Sequence, residues 1–172
     1  LDEARALRAS AHKAGARIHV ARAWLEEAYV LIALQRPAEA AEASRQALNC
    51  LLAGKKPALS AFFTAFEREL YLTAIIYQAR AFMATRDHAA IIALCEPVVR
   101  DLEVERLRVS SPYQQSAFLA TRTELYEALA AAAYNAGQID LLLEITELLK
   151  ARSMLRSRRE PDASTPTDEL DT

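Results

Sequence analysis

Leu34-Gln35-Arg36-Pro37-Ala38-Glu39-Ala40 closes one helical stretch at a polar corner and opens the next at once. Ala84-Thr85-Arg86-Asp87-His88-Ala89-Ala90 and Asn135-Ala136-Gly137-Gln138-Ile139-Asp140 have the same form, the last with glycine at the corner. Each reads as the tight turn of a helical hairpin. With Gln35, Arg86 and Gly137 taken as equivalent, the corners stand 51 residues apart, from 35 to 86 and from 86 to 137. A constant spacing of this length is the signature of a solenoid, in which each supersecondary unit buries its apolar face against the next.

The same register aligns side chains of matching size. Trp24, Ile75 and Tyr126 fall at one bulky site, Ala28, Ala79 and Ala130 at one small site, and Leu31, Phe82 and Ala133 at another. Beyond the corner Ala40, Ile91 and Leu142 align, as do Ala47, Val98 and Leu149. A small residue lets two helices approach closely, and the bulky one fills the gap to the neighbouring pair.

This arrangement resembles the tetratricopeptide repeat. The resemblance implies an all-α, right-handed solenoid of antiparallel hairpins, here about three lengthened repeats, because the family's usual unit is shorter than the 51-residue spacing from 35 to 86. Helices are expected over 17–35 and 38–53, 59–85 and 88–108, and 113–136 and 138–158, with Leu1 to Ala14 closing an earlier, truncated pair. Gly54-Lys55-Lys56-Pro57 and Ser110-Ser111-Pro112 separate the hairpins, glycine stopping a helix and serine–proline starting one. Residues 1–159 form the repeat domain, and the polar stretch 160–172, without apolar period, is expected to be a disordered tail or linker.

Composition agrees with helix and with little else. Three glycines and six prolines are too few for a many-stranded sheet, and no Asn-Gly or Asp-Gly hairpin signal is present. Apolar runs such as Ala128 to Ala133 and Leu141 to Leu143 fall far short of the ~20 residues that span a bilayer. No membrane partner is expected, and the absence of a signal-peptide pattern at Leu1 points to a cytoplasmic location. A net charge of −2 argues against a general nucleic-acid binder.

A second resemblance rests on Phe118 to Leu129, which holds the run Arg122-Thr123-Glu124-Leu125-Tyr126, on Gly137-Gln138, and on Leu148 to Leu155 with Lys150-Ala151-Arg152. These stretches look like the final helical pair before a CHAT domain, a caspase- and separase-like cysteine peptidase fold. In that family the nucleophilic cysteine and its histidine belong to the downstream domain, so no catalytic residue carries over to any position here. The resemblance implies a regulatory or substrate-recruiting arm. Similar lengthened repeats in transcriptional regulators imply a sensor arm instead.

No catalytic, metal or cofactor site is expected. His88 and Cys95 lie two helical turns apart, ~10 Å along the axis, too far for a direct hydrogen bond. Cys50 and Cys95 read as buried, inert thiols, and His12 and His19 lack partners at zinc spacing. Glu26-Glu27 and Glu103-Glu105 read as charges on solvated helix faces, and Phe62, Phe63 and Phe66 as core.

Function is therefore expected where a solenoid acts, on the concave face made by its first helices, with a protein or peptide as partner. One step beyond the bulky and small sites lie Leu25, Tyr29 and Ile32, then Ile76, Arg80 and Met83, then Glu127, Ala131 and Tyr134. Lys150, Arg152, Arg156, Arg158 and Arg159 crowd the end of the last helix. There they meet the negative end of its dipole or dock an adjoining effector domain.

Overall fold

The computed structural model describes residues 1–13, 16–54, 57–59, 64–108 and 122–157, and for 10–13 and 151–157 the backbone alone. Among the described residues there are seven α-helices and no strand. They are α1 (Asp2–Lys13), α2 (Arg17–Ala33), α3 (Pro37–Leu52), α4 (Ala65–Thr85), α5 (His88–Arg108), α6 (Thr123–Asn135) and α7 (Ile139–Ser157). None of the described helices is long and apolar enough to cross a membrane. Residues 113–122, expected to open the sixth helix, include 113–121 outside the described residues, as do 158–172.

Three corners have one geometry. Gln35, Arg86 and Gly137 all take the left-handed conformation, with φ of 57°, 57° and 69°. At each, two backbone N–H groups reach back to carbonyls of the preceding helix: Gln35 to Ile32 and Arg36 to Leu31, Arg86 to Met83 and Asp87 to Phe82, Gly137 to Tyr134 and Gln138 to Ala133. This paired closure satisfies carbonyls that the helix end leaves unbonded. The outgoing helix begins at once, with Pro37 in the first turn of α3 and the Asp87 carboxylate accepting the Ala90 N–H of α5 at 3.0 Å.

The start of α4 differs from expectation. Leu59 is not helical in α4; it sits buried in a short turn, its N–H donating to Asp101 Oδ2 of α5 at 3.1 Å. The helix begins at Ala65 because Thr64 caps it, Oγ1 accepting the Glu67 N–H at 3.1 Å. Thr64 with Glu67 three residues on is a capping-box pattern that the apolar period alone overlooks.

Packing runs helix by helix. α1 lies on α2, α3 lies between α2 and α4, and α5 lies between α4 and α6, while α4 also neighbours both α2 and α6. One apolar cluster joins Leu48 and Leu51 of α3, Tyr71 and Ile75 of α4, Ile91, Cys95 and Leu102 of α5, and Leu125, Tyr126 and Leu129 of α6. A smaller one holds Ala28, Leu31, Ala40 and Ala43, where α2 and α3 approach on alanines. Polar ends of the core are tied off: Tyr126 donates its hydroxyl to Glu103 Oε1 at 2.6 Å. Burial, with the Asp101 charge adding to it, pushes Tyr71 up to about 12.

Two groups read as solvated are structural. Glu27 is buried, accepting from Arg5 Nε at 3.1 Å and from Arg8 of α1. Glu103 and Glu105 tie helices as well, Glu103 to Tyr126 and Glu105 to Arg68 of α4 at 3.3 Å. Adjacent carboxylates point to different sides of a helix, so a pair in sequence need not share an environment. Phe66, read as core, is 54% exposed in the first turn of α4. Phe62 and Phe63 lie outside the described residues.

Candidate functional site

The first helices α4 and α6 run side by side and leave a groove of about 400 Å³ between them. Ile76, Ala79 and Met83 of α4 and Leu125, Ala128 and Ala131 of α6 supply its apolar lining. A gap remains on this side because small residues, Ala79, Ala128 and Ala131, stand where larger side chains would fill it. Arg80, Glu124 and Glu127 supply the polar rim.

The rim is ordered by charge. Arg80 grips the Glu124 carboxylate with two donors, Nε and Nη2, the latter at 2.8 Å from Oε2. That hydrogen bond pushes the Arg80 guanidinium further above its ordinary range. The same guanidinium lies 5.8 Å from the centre of the Tyr77 ring, and Tyr77 lies 6.1 Å from Tyr29 of α2. A row of Tyr29, Tyr77, Arg80 and Glu124 thus crosses α2, α4 and α6. Burial pushes the Tyr77 hydroxyl up. One guanidinium faces two carboxylates here, so the rim of the groove is net negative.

Of the residues expected on the concave face, the structure gathers Ile76, Arg80, Met83, Glu127 and Ala131 around this groove. Tyr29 joins it through Tyr77. Tyr134 is 69% exposed at the end of α6 and Ile32 is half-buried against the α2–α3 cluster, so neither lines it. Leu25 is a correction: it is 4% exposed and belongs to the main core. The register places it one residue too close to the surface; its side chain joins the cluster that holds Leu48 and Leu51 of α3 and Tyr71 and Ile75 of α4. Tyr77 and Glu124 were missed. Their signal was spacing, since Tyr77 precedes Arg80 by three residues and Glu124 precedes Glu127 by three, which sets each pair on one helix face.

The basic cluster on α7 is described only in part. Lys150 pairs with Glu147 at 2.9 Å. The side chains of Arg152 and Arg156, and all of Arg158 and Arg159, lie outside the described residues. In the run Arg122-Thr123-Glu124-Leu125-Tyr126, four residues have structural roles. Arg122 pairs with Glu69 of α4, Glu124 holds Arg80, and Leu125 and Tyr126 are fully buried.

The His12 side chain lies outside the described residues. Cys95 is fully buried and its thiol is pushed up to about 12, far from a thiolate near neutral pH. Cys50 is half-buried, and burial raises its thiol as well. Among the described residues no three His, Cys, Asp or Glu side chains are grouped to hold a metal ion.

Comparison with protein-family models, with curated proteins and with solved structures gave no match to this chain.

Proposed function

We propose that this chain is a protein-interaction scaffold from a larger multidomain protein, holding a protein or peptide partner in the groove between α4 and α6. In this reading the hairpins form a right-handed, tetratricopeptide-like solenoid with a 51-residue period, from 35 to 86 to 137. The shared left-handed corner at Gln35, Arg86 and Gly137, with the same two hydrogen bonds each time, supports that period. The protein works in the cytoplasm, makes and breaks no covalent bond and uses no cofactor.

The observation that carries the reading is the groove itself, about 400 Å³ with an apolar lining on two neighbouring first helices. A folded domain gains nothing in stability by keeping such a lining open. A helix or extended peptide laid along it would bury alternating apolar side chains while its own polar face stayed wet. The net negative rim favours a partner segment carrying Lys or Arg.

The test uses two exposed positions, so the fold survives. A Met83→Glu, Glu127→Arg variant and an Arg45→Glu control on the far surface of α3 are used beside the native domain as bait for a lysate of the source organism. Proteins retained by native and control domains but released by the groove variant support the reading. An identical set on all three, or no retained protein, defeats it.

A further inference from the structure

A second cavity, of about 550 Å³, opens between α1, α2 and α3, away from the α4–α6 groove. Its apolar surface comes from Val20 and Trp24 of α2 and Cys50 of α3. Its polar lining is Arg8, Arg17 and Gln46, and among the described residues no carboxylate lines it.

Both guanidiniums are fixed from behind. Arg8 stacks over the Trp24 ring, 3.6 Å from its centre, and bonds Glu27. Arg17 donates from Nη1 to the Leu51 carbonyl at 3.1 Å and lies 3.6 Å from Glu67 through Nη2. Glu27 and Glu67 do not line the cavity, so the carboxylates that hold the arginines stay outside it. A guanidinium has five N–H donors in a planar fork, and these contacts leave donors on each. Two oriented cations beside a tryptophan face and a valine, in a space within the usual ~300–1,000 Å³ of small-molecule pockets, form a surface complementary to an anion with an apolar body.

We infer that the α1–α3 cavity is a binding site for a small amphiphilic carboxylate, its head group held by Arg8 and Arg17 and its apolar tail lying against Trp24, Val20 and Cys50. The molecule carries its own reporters. Trp24 is the one tryptophan in the chain. Cys50 is half-buried at the cavity while Cys95, the other cysteine, is fully buried.

The experiment titrates the full 172-residue chain with decanoate, decanol and decylammonium, each below its aggregation concentration. Trp24 emission and the rate of Cys50 alkylation by iodoacetamide are followed. Decanoate is expected to shift the emission and slow alkylation at a concentration at least about tenfold below that at which decanol acts, and decylammonium to do neither. Arg17→Met is expected to remove the preference for decanoate over decanol, and Cys50→Phe, which fills the cavity from its other wall, to weaken both, each judged by Trp24 emission in a variant of native helix content. The inference is overturned if decanoate leaves emission and alkylation unchanged, if decanol matches it, or if Arg17→Met keeps the preference.

Discussion

α1 and α5 each lie against the first helix of the hairpin that follows, α2 and α6, and the two contacts are made of different material. α5 and α6 bring Cys95, Val99, Leu102, Leu125, Tyr126 and Leu129 into one cluster that solvent scarcely reaches. α1 has no buried apolar residue over its described side chains, and Leu7 is 55% exposed. What holds α1 is directional: Arg5 and Arg8 on the buried Glu27, and Arg8 stacked on Trp24. Apolar contact is proportional to area and shared among many residues, so it opens only with the whole. A few charge-assisted bonds on one helix can open alone. The first contact belongs to the stability of the domain, and the second to the stability of α1.

The largest effect expected follows from that division. Leu102→Ala should destabilise the domain by about 2–5 kcal/mol, the usual cost of a buried cavity, read as a fall in the denaturant midpoint. Leu7→Ala on α1 should stay within about 0.5 kcal/mol. Equal shifts for the two would erase the distinction between α5 and α1.

Arg8→Ala is next. It removes a hydrogen bond to a buried carboxylate and the stacking on Trp24, a loss of about 1–3 kcal/mol. Because α1 is held by these contacts, the loss should be local. Hydrogen exchange should speed up in α1 amides while α5 and α6 amides keep their protection. Uniform acceleration throughout would show that α1 opens only with the rest of the domain.

Arg86→Gly acts on the apolar body and not on α1. Arg86 takes a left-handed φ of 57°, where a side chain costs up to about 1–2 kcal/mol and glycine little. Glycine also loses more chain entropy on folding, so the net gain should be up to about 1 kcal/mol. Gly137 already has glycine in that conformation, and Gly137→Ala should lose a similar amount. Both changes should move the denaturant midpoint of the apolar body and leave α1 exchange where it was.

How far this was legible in sequence depends on the kind of signal. Corners were readable because a helix end must satisfy its carbonyls, and Gln35, Arg86 and Gly137 stand where the apolar period breaks and restarts. Helix faces were readable to within one residue: Ala28, Ala79, Ile91 and Val98 are buried as their spacing required, while Leu25, one step over, turned out to be core. Long-range polar pairing was not readable. Nothing local in Glu27 says that Arg5 and Arg8, about twenty residues earlier, will close over it, and nothing in Glu124 says that it will meet Arg80. Those pairings are set by how the helices stack, which no window on a single helix contains. The α1–α3 cavity was invisible for the same reason, since its lining comes from three helices.

The smallest effect is the most discriminating, because it holds the chemistry constant. Arg80–Glu124 and Arg8–Glu27 are both arginine–glutamate contacts between helices, but their side chains are 44% and 41% exposed in the first pair and 26% and 6% in the second. In water an ion pair gains little over its hydrated partners, and measured values for exposed pairs are about 0–1 kcal/mol. Arg80→Ala should therefore shift the denaturant midpoint by no more than that, and raising the salt concentration should shrink the difference further. Glu124 left alone stays hydrated, whereas Glu27 without Arg8 keeps a buried charge with one fewer donor. If Arg80→Ala costs as much as Arg8→Ala, burial is not what separates the two pairs. The bridge between α4 and α6 would then be holding the groove's walls in place, and its loss should also move Tyr77, 5.8 Å from the Arg80 guanidinium, in a tyrosine fluorescence or ring-resonance measurement. If the cost is small and Tyr77 is unmoved, the walls are set by the apolar core beneath them, and Arg80 and Glu124 remain free to exchange each other for a partner's charges.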